Sequence, residues 1–255
     1  MTVTGERVTT ASGGFNPTWQ RHVAAYRLCG AFLPEGRVLD VGCGVGHSFE
    51  ALAPRETVGV DVDPACLAEQ ERETVVADMR RLPLPDASFA GLVAIQSIEH
   101  VPDAQVAVGE AARVLEPGGV AVFVTPNRLT FARADEIIDP YHYVEYDAGE
   151  LASLCSPFFD AVEMRGLFGS ARYLELVAAE RVKLDRLLRK DPLRLRRAVP
   201  RGVRQRAYDR LLTRDRAQPD PVALEITPED FELREDGLEA ALDVVAVCRK
   251  PAADV

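Results

Sequence analysis

The chain has 255 residues, of which 47% are hydrophobic, and its formal net charge is −10. This acidic balance argues against general nucleic-acid binding, and no run of 18 apolar residues predicts a membrane span. The five cysteines are scattered, and the first 16 residues are polar, without the apolar core of a signal peptide. We therefore expect a cytoplasmic protein with reduced thiols, built as one α/β domain or as one domain with an insertion.

The first predicted element is a helix over Trp19–Leu33, where apolar residues recur at roughly helical spacing up to Pro34. Residues 1–16 before it are predicted to form a mobile arm. We expect the helix to cover the cofactor or substrate side of the domain. Residues 1–36 are therefore assigned as an N-terminal arm and helix.

A predicted strand at 38–41 leads into three glycines at every second position, Gly42, Gly44 and Gly46. Glycine has no Cβ, so the backbone at these positions can adopt unusual angles and approach a ligand closely. A helix over 49–52 is predicted to follow, and the first turn of a helix offers unpaired N–H groups. The pattern indicates a strand, a tight turn and a helix start that together bind a ligand.

The spacing of these glycines separates two classes of cofactor. A dinucleotide site needs G-x-G-x-x-G, and here His47 stands where its third glycine would fall. The preceding Asp40 suits a ligand that carries an amine. The stretch resembles motif I of the class I S-adenosylmethionine (SAM)-dependent methyltransferases, D-V-G-C-G-x-G. The resemblance implies cofactor contacts from Asp40, Gly42, Cys43, Gly44 and Gly46.

Two further predicted strands carry acidic residues at their carboxyl ends. The strand 57–61 ends in Asp61, which lies 21 residues after Asp40, and an acid at this place can accept hydrogen bonds from ribose hydroxyls. The strand predicted over 73–79 contains Asp78. The resemblance implies that Asp78 contacts the adenine amino group and that the next residue lies along the ring. The implied cofactor contacts from these strands are Asp61, Val62, Asp78 and Met79.

The next strands are predicted at 92–97 and at 120–124, with a helix between them that begins after Asp103 and ends at Leu115. Alternating strands and helices argue for a parallel sheet with helices on both faces, and ligands bind beyond the carboxyl ends of such strands. The segment 96–100 falls at one of these ends, beside the expected methyl-transfer centre. It supplies one predicted cofactor contact and two candidate catalytic residues, namely Gln96, Glu99 and His100.

The aromatic segment 139–146 follows the fifth strand and resembles the N-P-x-H-x-x-E-F segment of the small-molecule and glycan-modifying branch of the family. His142 is its candidate general base, because an imidazole near its unperturbed pKa accepts a proton at neutral pH. His100 is the second candidate, and Glu99 or Glu145 could orient either one. The predicted substrate contacts are Asn127, Tyr141, Tyr143, Glu145 and Tyr146. A divalent ion such as Mg²⁺ is compatible with these acids, because some sugar O-methyltransferases use one, but no ligand spacing requires it.

The remaining elements complete the predicted sheet. A helix is predicted at 147–154, a sixth strand at 158–164, a turn or helix start at 227–231, and a seventh strand at 241–248. In the family this last strand is antiparallel and lies between the fifth and sixth. The resemblance therefore implies an α/β fold with a seven-stranded, Rossmann-like, mostly parallel sheet. We assign residues 37–173 and 221–255 to this methyltransferase domain.

Residues 174–220 are assigned as an inserted segment of different character. From residue 181 to 216 there are 14 Lys and Arg against 4 Asp, so this stretch carries +10 and the remainder −20. Leucines and valines at helical spacing predict a pair of basic amphipathic helices. The pattern favours a solvated cap; a homodimer contact, an anionic substrate and an anionic membrane surface remain open alternatives.

The sequence is accordingly identified as a member of the class I SAM-dependent methyltransferases, which release S-adenosylhomocysteine. We expect an O-methyltransferase acting on a small-molecule hydroxyl, with a sugar or oligosaccharide ahead of a polyketide, quinone or phenol. Two alternatives of another class stay open, an NAD-dependent oxidoreductase and a non-catalytic SAM-binding protein. The glycine spacing counts against the first, and the second would have an intact cofactor motif but no working base.

Overall fold

The structure is a computed structural model that describes residues 17–131, 137–189, 191, 194–216 and 221–253, so the predicted arm at 1–16 lies outside the described residues. The chain divides into two compact units. The first, called the sheet unit, consists of His22–Ile138, His142–Phe168 and Glu232–Val255. The second, called the helical unit, consists of Met1–Arg21, Asp139–Tyr141 and Gly169–Phe231.

One sheet of eight strands runs in the order β3-β2-β1-β4-β5-β8-β6-β7. In the part of this order that runs β3-β2-β1-β4-β5, each strand is parallel to its neighbours. Strand β8 is antiparallel to both β5 and β6. This confirms the mostly parallel sheet with its last strand inserted antiparallel between the fifth and the sixth. The strands are β1 (Val38–Val41), β2 (Thr57–Asp61), β3 (Thr74–Val76), β4 (Phe89–Ile95), β5 (Leu115–Pro126), β6 (Ala161–Gly169), β7 (Phe231–Arg234) and β8 (Asp243–Arg249).

The sheet has one strand more than the sequence predicts. A turn or helix start was expected at 227–231, and the structure does have a 3₁₀ turn at Pro228–Asp230 with a capping box from Thr227. The chain then extends into β7 at the edge of the sheet. This strand has only four residues, so its alternation of apolar and charged side chains is too short to be told from a loop. Because edge strands are often short and charged, the sequence pattern gives little warning of them.

The fifth strand begins earlier than predicted, at Leu115 instead of Val120. Leu115 pairs with Phe89, and the register then shifts before Val120 pairs with Gly91. The intervening bulge contains a glycine at a positive φ of 78°, a conformation that glycine adopts without strain. The Pro-Gly-Gly stretch therefore interrupts the pairing of one strand and does not separate a helix from a strand.

Seven helices are found among the described residues: α1 (Pro17–Cys29), α2 (Pro64–Leu67), α3 (Ala104–Val114), α4 (Arg128–Phe131), α5 (Ala148–Cys155), α6 (Ala171–Leu188) and α7 (Arg201–Arg216). The predicted helices over 19–33, 104–115 and 147–154 are therefore present as α1, α3 and α5. The helix predicted after the glycine turn is only a 3₁₀ turn, Phe49–Leu52, because Pro54 follows at once. Its macrodipole contribution to a ligand site is correspondingly small.

The core of the sheet unit lies along the central strands. Every residue of β1 is buried, as are all but one residue of β4 and of β8. Parallel strands that are covered on both faces have continuous apolar runs, and this is the pattern that the sequence showed at these strands. The central strands are therefore a rigid base for the loops at their carboxyl ends.

The helical unit contains the predicted basic helix pair as α6 and α7, and its own polar contacts organise it. The buried Asp230 accepts hydrogen bonds from the guanidinium of Arg172, which lowers the pKa of this carboxyl well below its usual range. On α7, Arg201 donates to the carbonyl of Pro140, and the Tyr208 hydroxyl donates to Asp139. The domain boundaries at 174 and 220 stay a prediction. None of the helices in the described ranges has the length and apolarity that crossing a membrane requires.

Candidate active site

The glycine turn follows β1, and its backbone conformation favours glycine at three positions. Gly42, Gly44 and Gly46 have φ values of 72°, 53° and 71°. A Cβ on Gly42 would stand 2.4 Å from the Cβ of Ser97, so this backbone needs both the unusual angle and the missing side chain. The turn therefore touches the segment that follows β4, and the carboxyl ends of β1 and β4 meet in one place.

Gln70 contacts the glycine turn, although no sequence pattern predicts this contact. Its side-chain amide donates to the carbonyl of Gly44 at 2.8 Å, and its carbonyl side would collide with any Cβ at Gly46. Gln70 also accepts a hydrogen bond from Arg72 at 2.9 Å. The loop between α2 and β3 thus supports the turn and fixes its conformation.

Asp40, a predicted cofactor contact, is completely buried and is occupied by protein groups. The Tyr26 hydroxyl donates to one of its oxygens at 2.8 Å, and Arg72 donates to the other at 2.7 Å. Burial raises the pKa of Asp40, although the Arg72 guanidinium acts in the opposite direction. The carboxylate thus braces β1 against α1, and both of its oxygens already accept from protein donors.

Asp61 lies at the carboxyl end of β2 and holds the glycine turn. One carboxylate oxygen accepts from the backbone N–H of Gly44, and the other from that of Asp63, both at 2.9 Å. Each oxygen keeps a second lone pair, so the group can still accept hydroxyl donors. The neighbouring Val62 is 70% exposed, which leaves an apolar side chain open beside the acid.

The other predicted cofactor residues differ from one another in their contacts and burial. Asp78 forms an ion pair with Arg80, which holds the pKa of that carboxyl below its usual value. The half-buried Met79 lies against the glycine turn, with its Cε 3.6 Å from where a Cβ of Gly42 would stand. Gln96 has a positive φ of 53° and donates to the buried Asp243 of β8 at 2.7 Å. Cys43 is buried, and burial raises the pKa of its thiol to about 12, so the side chain stays a neutral thiol. Cys43 therefore contributes its backbone to the turn.

The three candidate catalytic residues come together with Glu145 in one group, which we call the acid–histidine cluster: Glu99, His100, His142 and Glu145. His142 Nδ1 lies 3.0 Å from a carboxylate oxygen of Glu145, and both side chains are buried. The rings of His100 and His142 meet edge to face at 4.9 Å between centroids. The sequence predicted each of these residues, and the fold brings them together from two loops.

Glu99 is the innermost member of this cluster. It follows Ser97, so the cluster lies within one turn of the residue that touches Gly42. Its side chain is fully buried and accepts from the Thr125 hydroxyl at 2.9 Å. Its backbone carbonyl accepts from the N–H of Tyr143, which fastens the aromatic segment to the end of β4. The cluster is therefore a rigid polar group beside the glycine turn.

Comparison with known proteins identifies the family. The family model described as "Methyltransferase domain" matches residues 39–123, which contain the glycine turn and Glu99. A probable S-adenosylmethionine-dependent methyltransferase of Mycolicibacterium smegmatis is 31% identical over 98% of this chain and 96% of its own length. The chain belongs to the SAM-dependent methyltransferases. The cofactor of this methyltransferase is therefore SAM, as the glycine spacing indicated.

Other relatives of the methyltransferase are more distant. A ubiquinone biosynthesis O-methyltransferase of Alkalilimnicola ehrlichii is 36% identical over 36% of this chain and 42% of its own length. Among solved structures, a possible histamine N-methyltransferase of Thermotoga maritima matches with a TM-score of 0.61 and 16% identity, over 92% of this chain and 91% of that chain. The second similarity confirms the Rossmann-like methyltransferase fold and says nothing of the acceptor.

The predicted substrate residues of the methyltransferase have different surroundings. Tyr143 is 45% exposed, so its ring is accessible, whereas Tyr146 is buried in the core, which raises the pKa of its phenol to about 12. The amide of Asn127 is buried and donates to the carbonyls of Leu238 and Ala241, so it holds the loop before β8. Tyr141 belongs to the helical unit. This geometry argues against substrate contacts from Tyr146 and Asn127.

We predict that the methyltransferase binds SAM and S-adenosylhomocysteine with micromolar affinity and does not bind NAD. Asp61→Asn should weaken SAM binding on the order of 10–100-fold, because a charged acceptor for ribose hydroxyls becomes a neutral one. The amide oxygen can still accept one of the two backbone N–H groups, so the fold should survive. Titration calorimetry of both proteins checks this, and equal SAM affinity in the two would refute the assignment of Asp61.

Proposed function

We propose that the protein transfers the methyl group of SAM to a hydroxyl of a small molecule, and that the acid–histidine cluster removes the proton of that hydroxyl. The placement of the cluster supports this most directly, because Glu99 lies two residues after Ser97, which packs on Gly42 of the glycine turn. A hydroxyl of ordinary acidity needs a proton acceptor within hydrogen-bond reach. The cluster supplies two imidazoles there.

His142 is the central residue of this proposal. A neutral imidazole whose Nδ1 donates to the Glu145 carboxylate carries its lone pair on Nε2, so Glu145 selects the tautomer that can take a proton. Burial of both side chains restricts their motion, which preserves the orientation from one turnover to the next. SAM supplies an electrophilic methyl group, and the protein supplies alignment and a place for the proton.

The proposed acceptor class is a sugar or oligosaccharide. The exposed ring of Tyr143 supports it, because an accessible aromatic face next to the cluster can pack on a sugar or on an aromatic ring. A phenol or quinone precursor is the second candidate, and it is favoured by the similarity to the ubiquinone biosynthesis O-methyltransferase. A polyketide hydroxyl remains a third.

A screen of acceptors with SAM labelled in its methyl group tests the proposed function. Hydroxylated sugars, phenols and quinone precursors form the main set, and amines and thiols of similar size form the control set. Label should be transferred to at least one hydroxylated compound, and the methoxyl carbon signal in the NMR spectrum of the product identifies O-methylation. Transfer only to amines or thiols would contradict the proposal, and SAM binding without any transfer would favour a non-catalytic SAM-binding protein.

We further propose that the basic helices influence the acceptor and not the cofactor, because the SAM-binding motifs lie outside them. Reversing the charge of two exposed residues of α7, with Arg206→Glu and Arg210→Glu, should lower acceptor turnover and leave SAM affinity unchanged. The matched control replaces both residues by lysine, which keeps the charge. Turnover that is the same in all three proteins would leave the helix pair as a solvated cap or an oligomer contact.

A further inference from the structure

The acid–histidine cluster has the geometry of a metal site. Glu99, His100 and His142 each offer one ligand atom, and these atoms all lie within 4.8 Å of one another. The Glu99 carboxylate oxygen Oε1 is 3.9 Å from His100 Nε2, which is too far for a hydrogen bond. Two donors bound at about 2.1 Å to the same ion can be up to about 4.2 Å apart. The three atoms can therefore share one ion after a small side-chain adjustment.

Glu99 also has an unmet electrostatic need. Its side chain is fully buried, and Oε1 has no hydrogen-bond partner among the residues that the structure describes. A buried carboxylate oxygen that has lost its water and gained no donor is unfavourable. This oxygen is the one on the side of His100, whereas the other oxygen is held by Thr125. A cation between Glu99 and the imidazoles would satisfy it.

Outer contacts hold the donors of the cluster in the way that metal sites require. A ligating histidine usually donates its other ring N–H to a carboxylate, which fixes the tautomer and the ring orientation. His142 has this arrangement with Glu145 at 3.0 Å. The Thr125 hydroxyl plays the equivalent part for Glu99. The donors and their partners come from three separate segments of the sheet unit, so the donors are positioned by the fold and not by one loop.

We infer that the cluster binds one divalent transition metal ion, with Glu99, His100 and His142 as its ligands and Glu145 as the partner of His142. Two imidazoles and one carboxylate suit Zn²⁺ or Fe²⁺, whereas Mg²⁺ prefers oxygen ligands. The Mg²⁺ ion that the sequence suggested therefore fits these ligands less well than a softer ion does. Three protein ligands also leave coordination positions open for a substrate oxygen.

This inference deepens the proposed function and rests on it only for the role of the metal, not for its binding. A bound divalent ion lowers the pKa of a coordinated hydroxyl. With an ion bound, His142 would act as a ligand, and the acidified hydroxyl would release its proton to solvent water instead of to the imidazole. Without metal, the imidazole alone has to accept that proton. Turnover should therefore depend on the metal.

Calorimetry on the chelator-treated full chain, without SAM or acceptor, tests the site with Zn²⁺. We expect one ion per chain with micromolar or tighter affinity, and no heat from Mg²⁺ at the same concentration. His100→Ala and Glu99→Gln should each weaken Zn²⁺ binding at least tenfold. Glu99→Gln keeps the shape of the side chain, so its loss of binding cannot be attributed to unfolding. His22→Ala is the control, because His22 packs against His47, which follows the glycine turn.

Co²⁺ provides a second measurement, since its visible spectrum reports the ligands. Nitrogen and oxygen ligands should give a d–d absorption without the intense thiolate charge-transfer band that a cysteine site would show. Absence of Zn²⁺ binding, a thiolate band, or equal affinity in the wild type and both cluster variants would overturn the metal site. If Zn²⁺ does not bind and hydroxyl methylation still proceeds in chelator, the metal inference fails while the proposed function stands. If Zn²⁺ binds and no hydroxyl is methylated, the reverse holds.

Discussion

His142→Ala should lower the turnover of the methyltransferase by about 10²–10⁴-fold, which is the usual contribution of a positioned group that handles a proton. The loss is expected whether the imidazole takes the proton itself or holds an ion that acidifies the hydroxyl. SAM affinity should change little, because the described contacts of the glycine turn do not include His142. Single-turnover kinetics with labelled SAM, together with SAM calorimetry, separates the two quantities.

Two companion variants sharpen the experiment. Glu145→Gln keeps the shape of the partner of His142 but removes its charge, so it should give a smaller loss than His142→Ala, as expected for a positioning residue. His100→Ala should lower turnover as well if both histidines share an ion. Near-full turnover in His142→Ala with complete loss in His100→Ala would reverse their roles. If neither replacement matters, the acceptor carries its own nucleophile, and O-methylation of an ordinary hydroxyl is ruled out.

Arg72→Ala should lower the free energy of unfolding by about 3–5 kcal/mol, the cost of leaving a buried charge without its partner. The side chains of Arg72 and Asp40 are 5% and 1% exposed, so water cannot replace the lost guanidinium. Arg72 also covers the ring of Phe49, with its guanidinium carbon 4.4 Å from the ring centroid. Urea denaturation of the variant and the wild type, analysed with equal m-values, measures the difference.

The double variant Arg72→Met with Asp40→Asn is the matched control, because it removes both charges and keeps an acceptor for the Tyr26 hydroxyl. It should recover much of the lost stability. The deficit of Arg72→Ala should also depend on pH. Burial already raises the folded-state pKa of Asp40 above its ordinary 3.8, and loss of Arg72 raises that pKa further. The deficit should therefore be small below the folded-state pKa of Asp40 in the wild type, and it should grow as the pH rises from that pKa to the higher folded-state pKa of the variant. A deficit independent of pH would show that lost packing, not the stranded charge, is responsible.

The fold was predictable from the sequence wherever local patterns are strong. Buried strands such as β1, β4 and β8 show as apolar runs, and the helix predicted from residue 147 is present as α5, with Asp147 as its N-cap. The edge strand β7 and the bulge of β5 were missed, because pairing with a neighbouring strand creates them and no local propensity does. The 3₁₀ turn after the glycines also differs from the predicted helix, because one downstream proline outweighs the helical pattern.

The candidate site was predictable to the extent that it follows from strand ends. The residues of the acid–histidine cluster were each predicted from the sequence, as was an acid that orients a histidine, whereas the edge-to-face contact of His100 with His142 was not. Tyr26, Gln70 and Arg72 support the glycine turn and Asp40, yet no spacing or motif marks them, since they arrive from other parts of the chain. Asn127 and Tyr146 were expected at the substrate, but tertiary packing uses Asn127 to hold a loop and Tyr146 to fill the core.

The position of β8 between β5 and β6 has a consequence for the order in which the protein can assemble. β6 joins the sheet only through β8, although β8 is the last strand to be synthesised. On the ribosome, β1 to β5 can pair as they emerge, whereas β6 must wait until more than 70 further residues have been translated. Two contacts of the site also depend on the segment that contains β8. Asn127 donates to the loop before β8, and Gln96 donates to Asp243 of β8. A nascent chain can therefore form the half that contains the glycine turn early and complete the β5 side of the site only after β8 has been synthesised.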